Sequence, residues 1–567
     1  MHSTLKRPAQ RVYAMSPEPQ PPDAQTELFI GLVGAVGTDL HSTEAVLKTV
    51  LAYYGYQSSV LRMSAYLTQL EWEPPRDLPE EPFDVHVWEH MQAGTDLRNK
   101  WERGDALALL ALNDVAAQRR DAATAGDDAS GEPASRESEG DAELENDDLP
   151  PALDRHCFII RSLKHPDEVE TLRTVLGPRF FLLAAYSPRT VREKQLRDNI
   201  ADSYGDPNPD CWAHQPEDLM KRDEAENDPY GQRLRDTFHR ADAFIEASEP
   251  KQLRADLERI VAIVFGDPWQ TPTKDEYALF AAEGAARRSA EPGRQVGAAI
   301  AARNGSILAL GTNEVPRAFG GLYWQGDKPD GREFAFERQE DEPRRDTNEV
   351  RQHEIADDIL DALGGALSND TPREELRDAI LETQLGDLTE YGRAVHAEMD
   401  ALLDAAAKGA PVRGCTLYTT TFPCHNCARH MLAAGISRVV YVAPYAKSQA
   451  LALHRDSIDL APAKPSKKLV PFMPFVGVAP RRYLELFDAD WRKRSPEHMS
   501  RKDLDTGLLA EFEMRTANPV FTDLEPEDLR PVRGVYRYRE ARAVAFMHEH
   551  SQTKQLALTQ DEPGEQE

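Results

Sequence analysis

Two periodicities of apolar and polar residues alternate along this chain, and each change of period marks an element. Short apolar runs bounded by Gly, Pro or charge stand at Glu27 to Gly37 (ELFIGLVGAVG), Arg155 to Ser162 (RHCFIIRS), Phe180 to Tyr186 (FFLLAAY) and Ala243 to Glu246 (AFIE). Runs of this length without polar alternation fit strands buried on both faces. Charged segments with helical spacing lie between them, the first at Ser42 to Tyr54 (STEAVLKTVLAYY), where Ser42 is expected to open the helix. This alternation predicts a doubly wound α/β sheet in the N-terminal half.

The C-terminal half repeats the theme with different punctuation. Gln295 to Leu310 (QVGAAIAARNGSILAL) holds two apolar runs around Asn304-Gly305, a strong hairpin turn signal. Met399 to Lys408 (MDALLDAAAK) is Ala- and Leu-rich with helical period, and a second helix is expected from Pro423 to Gly435. Cys415 to Thr421 (CTLYTTT) and Arg438 to Val442 (RVVYV) read as strands, so the sequence between them describes strand, helix, strand.

With 567 residues, of which 40% are hydrophobic, the chain can bury two cores. The expected division is a tail over 1–26, a first domain over 27–268, a second over 269–500 and a C-terminal extension over 501–567. Asp121 to Asp148 holds no aromatic residue and is dominated by Asp, Glu, Ala, Ser and Gly, so it is expected to be disordered. The charged stretch 333–390 reads as an insertion, either a lid or a solvated decoration. A net charge of −30 disfavours general nucleic-acid binding, except at a local patch such as Arg481-Arg482 or Arg492-Lys493-Arg494. Five cysteines without a disulfide pattern, and no leader or membrane-length apolar run, point to a cytoplasmic protein.

One constellation carries chemistry. His396-Ala397-Glu398 is followed by Pro423-Cys424-His425-Asn426-Cys427. His396, Cys424 and Cys427 supply three ligands of types that zinc prefers and leave its fourth position for water, whose pKa the metal lowers towards about 7. Glu398 is placed to move protons between that water, the ring nitrogen and the departing amine. The H-x-E…P-C-x-x-C pattern is the signature of zinc nucleobase deaminases, so one zinc ion per chain is expected. A structural zinc knuckle would need a second Cys or His pair, and none is apparent.

Strand, glycine loop and helix at 27–54 imitate a phosphate-binding loop, with Gly31, Gly34, Gly37 and Thr38 as candidate nucleotide contacts. The loop lacks the lysine of the full pattern, and Asp39 would repel phosphate. The same glycines could simply pack a helix on a sheet.

From about Thr271 to Asp490 the chain resembles the deoxycytidylate deaminase branch of the cytidine deaminase superfamily, through the zinc motif, the hairpin and Gly311-Thr312-Asn313-Glu314-Val315-Pro316. Gly320-Gly321-Leu322-Tyr323-Trp324, Ala443 to Ser448, Arg161 to Pro166 and Arg189 to Arg197 are similar to antiphage deoxycytidine nucleotide deaminases. In these a P-loop kinase-like half precedes a three-layer cytidine deaminase-like half. The resemblance implies that Asn313 holds the deoxyribose, that Tyr445 and Lys447 lie near sugar or phosphates, and that dCTP or dCMP is the substrate. It further implies dCTP depletion during phage infection, a homo-oligomer and, in some members, an inhibitory small RNA. Two other readings stay open: a deaminase acting on a base in RNA or single-stranded DNA, and a non-catalytic nucleotide-binding regulator.

Overall fold

Strand β1 (Leu28–Gly34) is buried at every position, as its unbroken apolar run requires. It belongs to a computed structural model that describes residues 27–488, apart from 71, 73, 128–151, 225, 227, 229, 266, 268, 292, 333–346, 365–370, 446 and 461–467. The expectations for 1–26, 501–567, Arg492-Lys493-Arg494 and most of 121–148 fall outside the described residues. At its start the acidic stretch is helical: the helix Ala106–Asp127 runs through its first residues, where Asp121-Ala122-Ala123-Thr124-Ala125 favours helix.

The remaining strands are β2 (Gln57–Arg62), β3 (His156–Arg161), β4 (Phe180–Tyr186), β5 (Ala243–Glu246), β6 (Gly297–Ala301), β7 (Ile307–Thr312), β8 (Thr416–Thr421), β9 (Arg438–Ala443), β10 (Ile458–Leu460), β11 (Val470–Pro474) and β12 (Gly477–Val478). They form two six-stranded sheets, ordered β12-β5-β4-β1-β3-β2 and β10-β11-β9-β8-β6-β7. In the first sheet β1 to β5 are all parallel, and only β12 runs against its neighbour. In the second, β8 to β11 are parallel, while the β6–β7 hairpin pairs antiparallel with itself and with β8. The architecture is thus mixed α/β with two parallel-dominated sheets. The first helix starts at Leu40 and not at Ser42: Asp39 is its cap, its carboxylate accepting from the Ser42 amide at 2.9 Å and hydroxyl at 2.6 Å.

Apolar packing runs without a break from one sheet to the other. Phe29, Phe158 and Leu182 share a cluster with Leu279 and Ala282 of the helix Lys274–Ala286, with Ala299 and Tyr418 of the second sheet, and with Phe475. One carboxylate fastens this junction. Thr273 caps the helix, and Glu276 returns the bond to the Thr273 amide at 2.7 Å, closing a capping box. The same carboxylate accepts both guanidinium nitrogens of Arg259, at 2.8 and 2.7 Å, and the Val478 amide at 2.8 Å. Arg259 lies on the helix Pro250–Val264 and Val478 on β12, so Glu276 joins the last N-terminal helix, the first C-terminal helix and the returning strand. Gly477 is required there: its φ is +128°, and a Cβ would stand 2.7 Å from Glu276 Oε1.

A second close approach sets the candidate chemistry. The helix Ala397–Ala407 lies directly on β7, where a Cβ on Gly311 would stand 2.0 Å from the Ala397 carbonyl oxygen. Asp400 and Asp404 of that helix accept the Thr312 and Leu310 amides at 3.0 and 3.3 Å.

Three substitutions test this packing. Glu276→Ala removes a buried acceptor, strips Arg259 of its carboxylate partner and leaves the Thr273 and Val478 amides without their acceptor, so chemical denaturation is expected to register a loss of about 3–5 kcal/mol. Gly311→Val is expected to lower the thermal midpoint and displace the helix Ala397–Ala407 through overpacking, at roughly 1–3 kcal/mol or more. Gly284→Ala, at a helical position with nothing within 4 Å, is expected to raise the midpoint through a gain of about 0.5–1 kcal/mol.

Candidate metal centre

Two helix starts and one strand end deliver the donor groups. β8 ends at Thr421, and the Phe422 amide bonds the Ala443 carbonyl of β9 at 2.8 Å before the chain turns. Cys424 then caps the helix His425–Ala434, accepting the Cys427 amide at its sulfur at 3.4 Å, and Gly435 ends the helix in a left-handed conformation. Across the gap, Glu314 follows β7 and pairs through its backbone with Val395, which sets His396 as the cap of the helix Ala397–Ala407. His396 Nδ1 lies 3.2 Å from Cys424 Sγ and 3.4 Å from Cys427 Sγ. All three donors fall within 4.8 Å of one another, and both cysteines are buried.

The charges in this cluster are frustrated without a cation. The Cys424 thiol is pushed down to about 4 by the hydrogen bond from Cys427 and by His396, against burial. Cys427 moves the other way, because it holds that bond, is buried, and faces Glu398 and the Cys424 charge. Burial, with the nearby Cys424, also raises Glu398, which is 4% exposed. His396 is raised by its bond to Cys424 and by Glu398 and Glu291, against burial. The group therefore carries less negative charge than its donors could hold, and a divalent ion would resolve the conflict. Its dimensions suit zinc: Zn–S and Zn–N bonds at tetrahedral angles separate the ligand atoms by about 3.5 Å, close to the observed spacings.

The other expected substrate contacts stand nearby but are engaged. Asn313 precedes the Glu314–Val395 bridge; its Oδ1 accepts the Val296 amide at 2.6 Å and its Nδ2 donates to the Arg294 carbonyl at 2.8 Å. Tyr445 packs on the apolar cluster of the second sheet. Exposed Lys447 donates to the Gly386 carbonyl at 2.8 Å, and Ser448 of the same loop bonds the Pro423 carbonyl at 2.7 Å. His425, between the two cysteines, lies 3.7 Å from Glu390. The end of the 333–390 insertion therefore contacts both loops of the site. Glu291 was not foreseen at all, because nothing in its local sequence marks a neighbour of His396.

The glycine loop lies in the first sheet. Gly34, Gly37 and Thr38 line a cavity of about 380 Å³, into which Arg98 and Gln232 also reach. Gly31 is not part of it: it sits inside β1, covered by Leu163, Leu182 and Phe180. The lysine missing from the sequence pattern arrives from elsewhere, as Lys164 Nζ donates to the Gly34 carbonyl at 2.9 Å. A buried carboxylate accompanies it. Asp223 accepts Lys164 at 2.7 Å and the Val36 amide at 2.7 Å, so the chain's own anion occupies the loop. Asp39, expected to repel phosphate, is committed to its helix cap.

Residues 272–443 match the family model described as the cytidine and deoxycytidylate deaminase zinc-binding region. Deoxycytidylate deaminase of Enterobacteria phage T4 is 40% identical over 55 residues, which cover 10% of this chain and 28% of that protein. Deoxycytidylate deaminase of Mus musculus is 25% identical over 167 residues, 30% of this chain and 63% of that protein. The chain thus spans less than two thirds of either relative. A crystal structure of dCMP deaminase from the cyanophage S-TIM5 in apo form aligns at 18% identity and a TM-score of 0.20, covering 36% of this chain and 99% of that one. The His396, Cys424 and Cys427 cluster thus lies inside the stretch, residues 272–443, that matches the cytidine and deoxycytidylate deaminase zinc-binding region.

Proposed function

We propose that this protein hydrolytically deaminates a deoxycytidine nucleotide, dCMP or dCTP, to the corresponding deoxyuridine nucleotide and ammonia. The observation that carries the reading is the convergence of His396, Cys424 and Cys427 beside buried Glu398. These three side chains would hold one zinc ion, which when bound supplies Lewis acidity that activates water. In the reaction a C–O bond forms at the ring carbon bearing the amine, the C–N bond breaks, and one water is consumed.

Glu398 moves the protons. Its carboxylate takes one proton from the attacking water and passes it to the ring nitrogen as the C–O bond forms, then takes the second from the new hydroxyl and passes it to the amine, which leaves as ammonia. Burial raises its proton affinity, which suits a group that must alternate between base and acid near neutral pH. Asn313 shapes the sugar side of the site, and its bonds to the Val296 amide and the Arg294 carbonyl hold it in place. Tyr445 and Lys447 flank the phosphate side from a loop fastened to Pro423 through Ser448. A net charge of −30 favours a free nucleotide over a polynucleotide.

The first sheet is read as a kinase-like nucleotide fold whose glycine loop serves structure, because Asp223 already fills the anion position. Depletion of dCTP during phage infection is the proposed role, in a homo-oligomer open to restraint by a small RNA.

Elemental analysis of the purified chain is expected to find about one zinc per chain, and Cys427→Ser to lose most of it. Incubation with dCMP, dCTP, CTP and a cytosine-containing oligonucleotide, assayed for ammonia and uracil products, tests the substrate; reaction with the oligonucleotide alone would refute it. Glu398→Gln is expected to keep its zinc and lose at least about a hundredfold in kcat, whereas near-normal turnover would remove Glu398 from the mechanism.

A further inference from the structure

The two sheets meet over a second cleft, of about 430 Å³, that belongs to neither the donor cluster nor the glycine loop. Its walls come from both halves. The turn before β5 contributes His239 and Arg240, and the start of the helix Pro480–Phe487 contributes Arg481. The end of the helix Lys274–Ala286 brings Glu283, with Arg287 just beyond it, and the approach to β6 brings Arg294. Four guanidiniums therefore face one carboxylate in a chain whose net charge is −30.

That carboxylate is already taken, since Arg287 bonds Glu283 one turn back along the same helix. The remaining arginines are weakly neutralised. Arg240 gives its Nε to the Asp236 carbonyl at 3.1 Å and has Glu170 only at 3.8 Å. Arg481 donates to the Arg240 carbonyl at 2.9 Å, and Asp242, at 3.6 Å from it, also accepts the Leu182 amide and Arg173. The Arg294 side chain makes no hydrogen bond or ion pair among the described residues. The surrounding field is positive: the His239 imidazole is held below its usual range by burial and then by Arg294 and Arg240.

Planar guanidiniums converging from several elements match phosphate oxygens, and several together match a multiply charged anion. We propose that this cleft binds a polyphosphate-bearing small molecule, whose phosphates bridge arginines of the two halves. The proposal goes beyond the deamination reading and stands without it. Bound there, the anion touches the ends of β8 and β9 at Thr420, Thr421 and Ala443, directly before the turn that delivers Cys424. It also meets Arg294, whose carbonyl holds Asn313.

Calorimetric titration of the full chain at low ionic strength, with inorganic triphosphate and separately with ATP, tests this directly. One site per chain is expected, weakened about tenfold or more by Arg294→Glu combined with Arg481→Glu, and retained in Glu398→Gln and Lys164→Ala. Binding of both probes means the phosphates suffice, whereas binding of ATP alone means the nucleoside contributes; either upholds the proposal if the arginine variants weaken it to that extent. Arg294→Gln alone, at an exposed position, supplies a milder variant that must weaken binding at least about threefold if the double variant misfolds. Absence of binding by both probes, affinity unchanged in the arginine variants, or binding in this cleft by a short RNA but not by the free anions would overturn it.

Discussion

A carboxylate hidden from water must collect its hydrogen bonds inside the protein, and Glu276 collects them from three separate elements. Arg259, the Thr273 amide and the Val478 amide all converge on it. Each donor alone would recover little of the cost of burying a charge, so the arrangement is stable only when all are present. This makes Glu276 an all-or-none clamp: the helix Lys274–Ala286, against which the β6–β7 hairpin packs, takes its position from the same residue that recruits β12 to the other sheet. The donor cluster depends on that chain of support. β7 carries the helix that His396 caps, and β8 carries Cys424.

The donor cluster also shows how backbone geometry and charge cooperate. Both Cys424 and His396 stand at helix starts, where amides and the positive end of the helix dipole favour anionic or electron-rich groups. Cys424 exploits this, and Cys427, one turn inward and facing Glu398, does not. The asymmetry follows from the bond between the two sulfurs, which favours charge on Cys424, and from Glu398, which opposes it on Cys427. Asn313, meanwhile, is fixed on both of its polar ends, so any contact it makes with a ligand comes from a side chain whose orientation is set beforehand.

Much of this was legible in the sequence, and for definite reasons. Unbroken apolar runs gave β1, β3, β4 and β5, because strands covered on both faces need no polar alternation. Asn304-Gly305 gave the β6–β7 hairpin through turn chemistry that few other dipeptides satisfy. The ligand types and spacing of His396, Cys424 and Cys427 gave the cluster, since metal chemistry restricts which residues can serve. What escaped was long-range. Lys164 and Asp223 reach the glycine loop across 130 and 187 residues, and no local pattern records that meeting. Ser42 looked like a cap because its hydroxyl is a suitable acceptor, but Asp39 takes the role by bonding Ser42 itself. Gly31 looked like part of a loop because it is a glycine near glycines, while its place is set by Phe180 and Leu182 on a neighbouring strand.

The return of β12 to the first sheet constrains how this chain can be divided. Its two residues lie beyond the whole second sheet in sequence, yet they cover the outer edge of β5 and bring Phe475 against Phe244. A fragment cut between the halves would leave that edge bare, with unpaired amides and carbonyls beside an exposed aromatic ring, a ready template for intermolecular strand pairing. The halves are thus not interchangeable modules on a tether: the last strand of the chain's second half completes the sheet of the first.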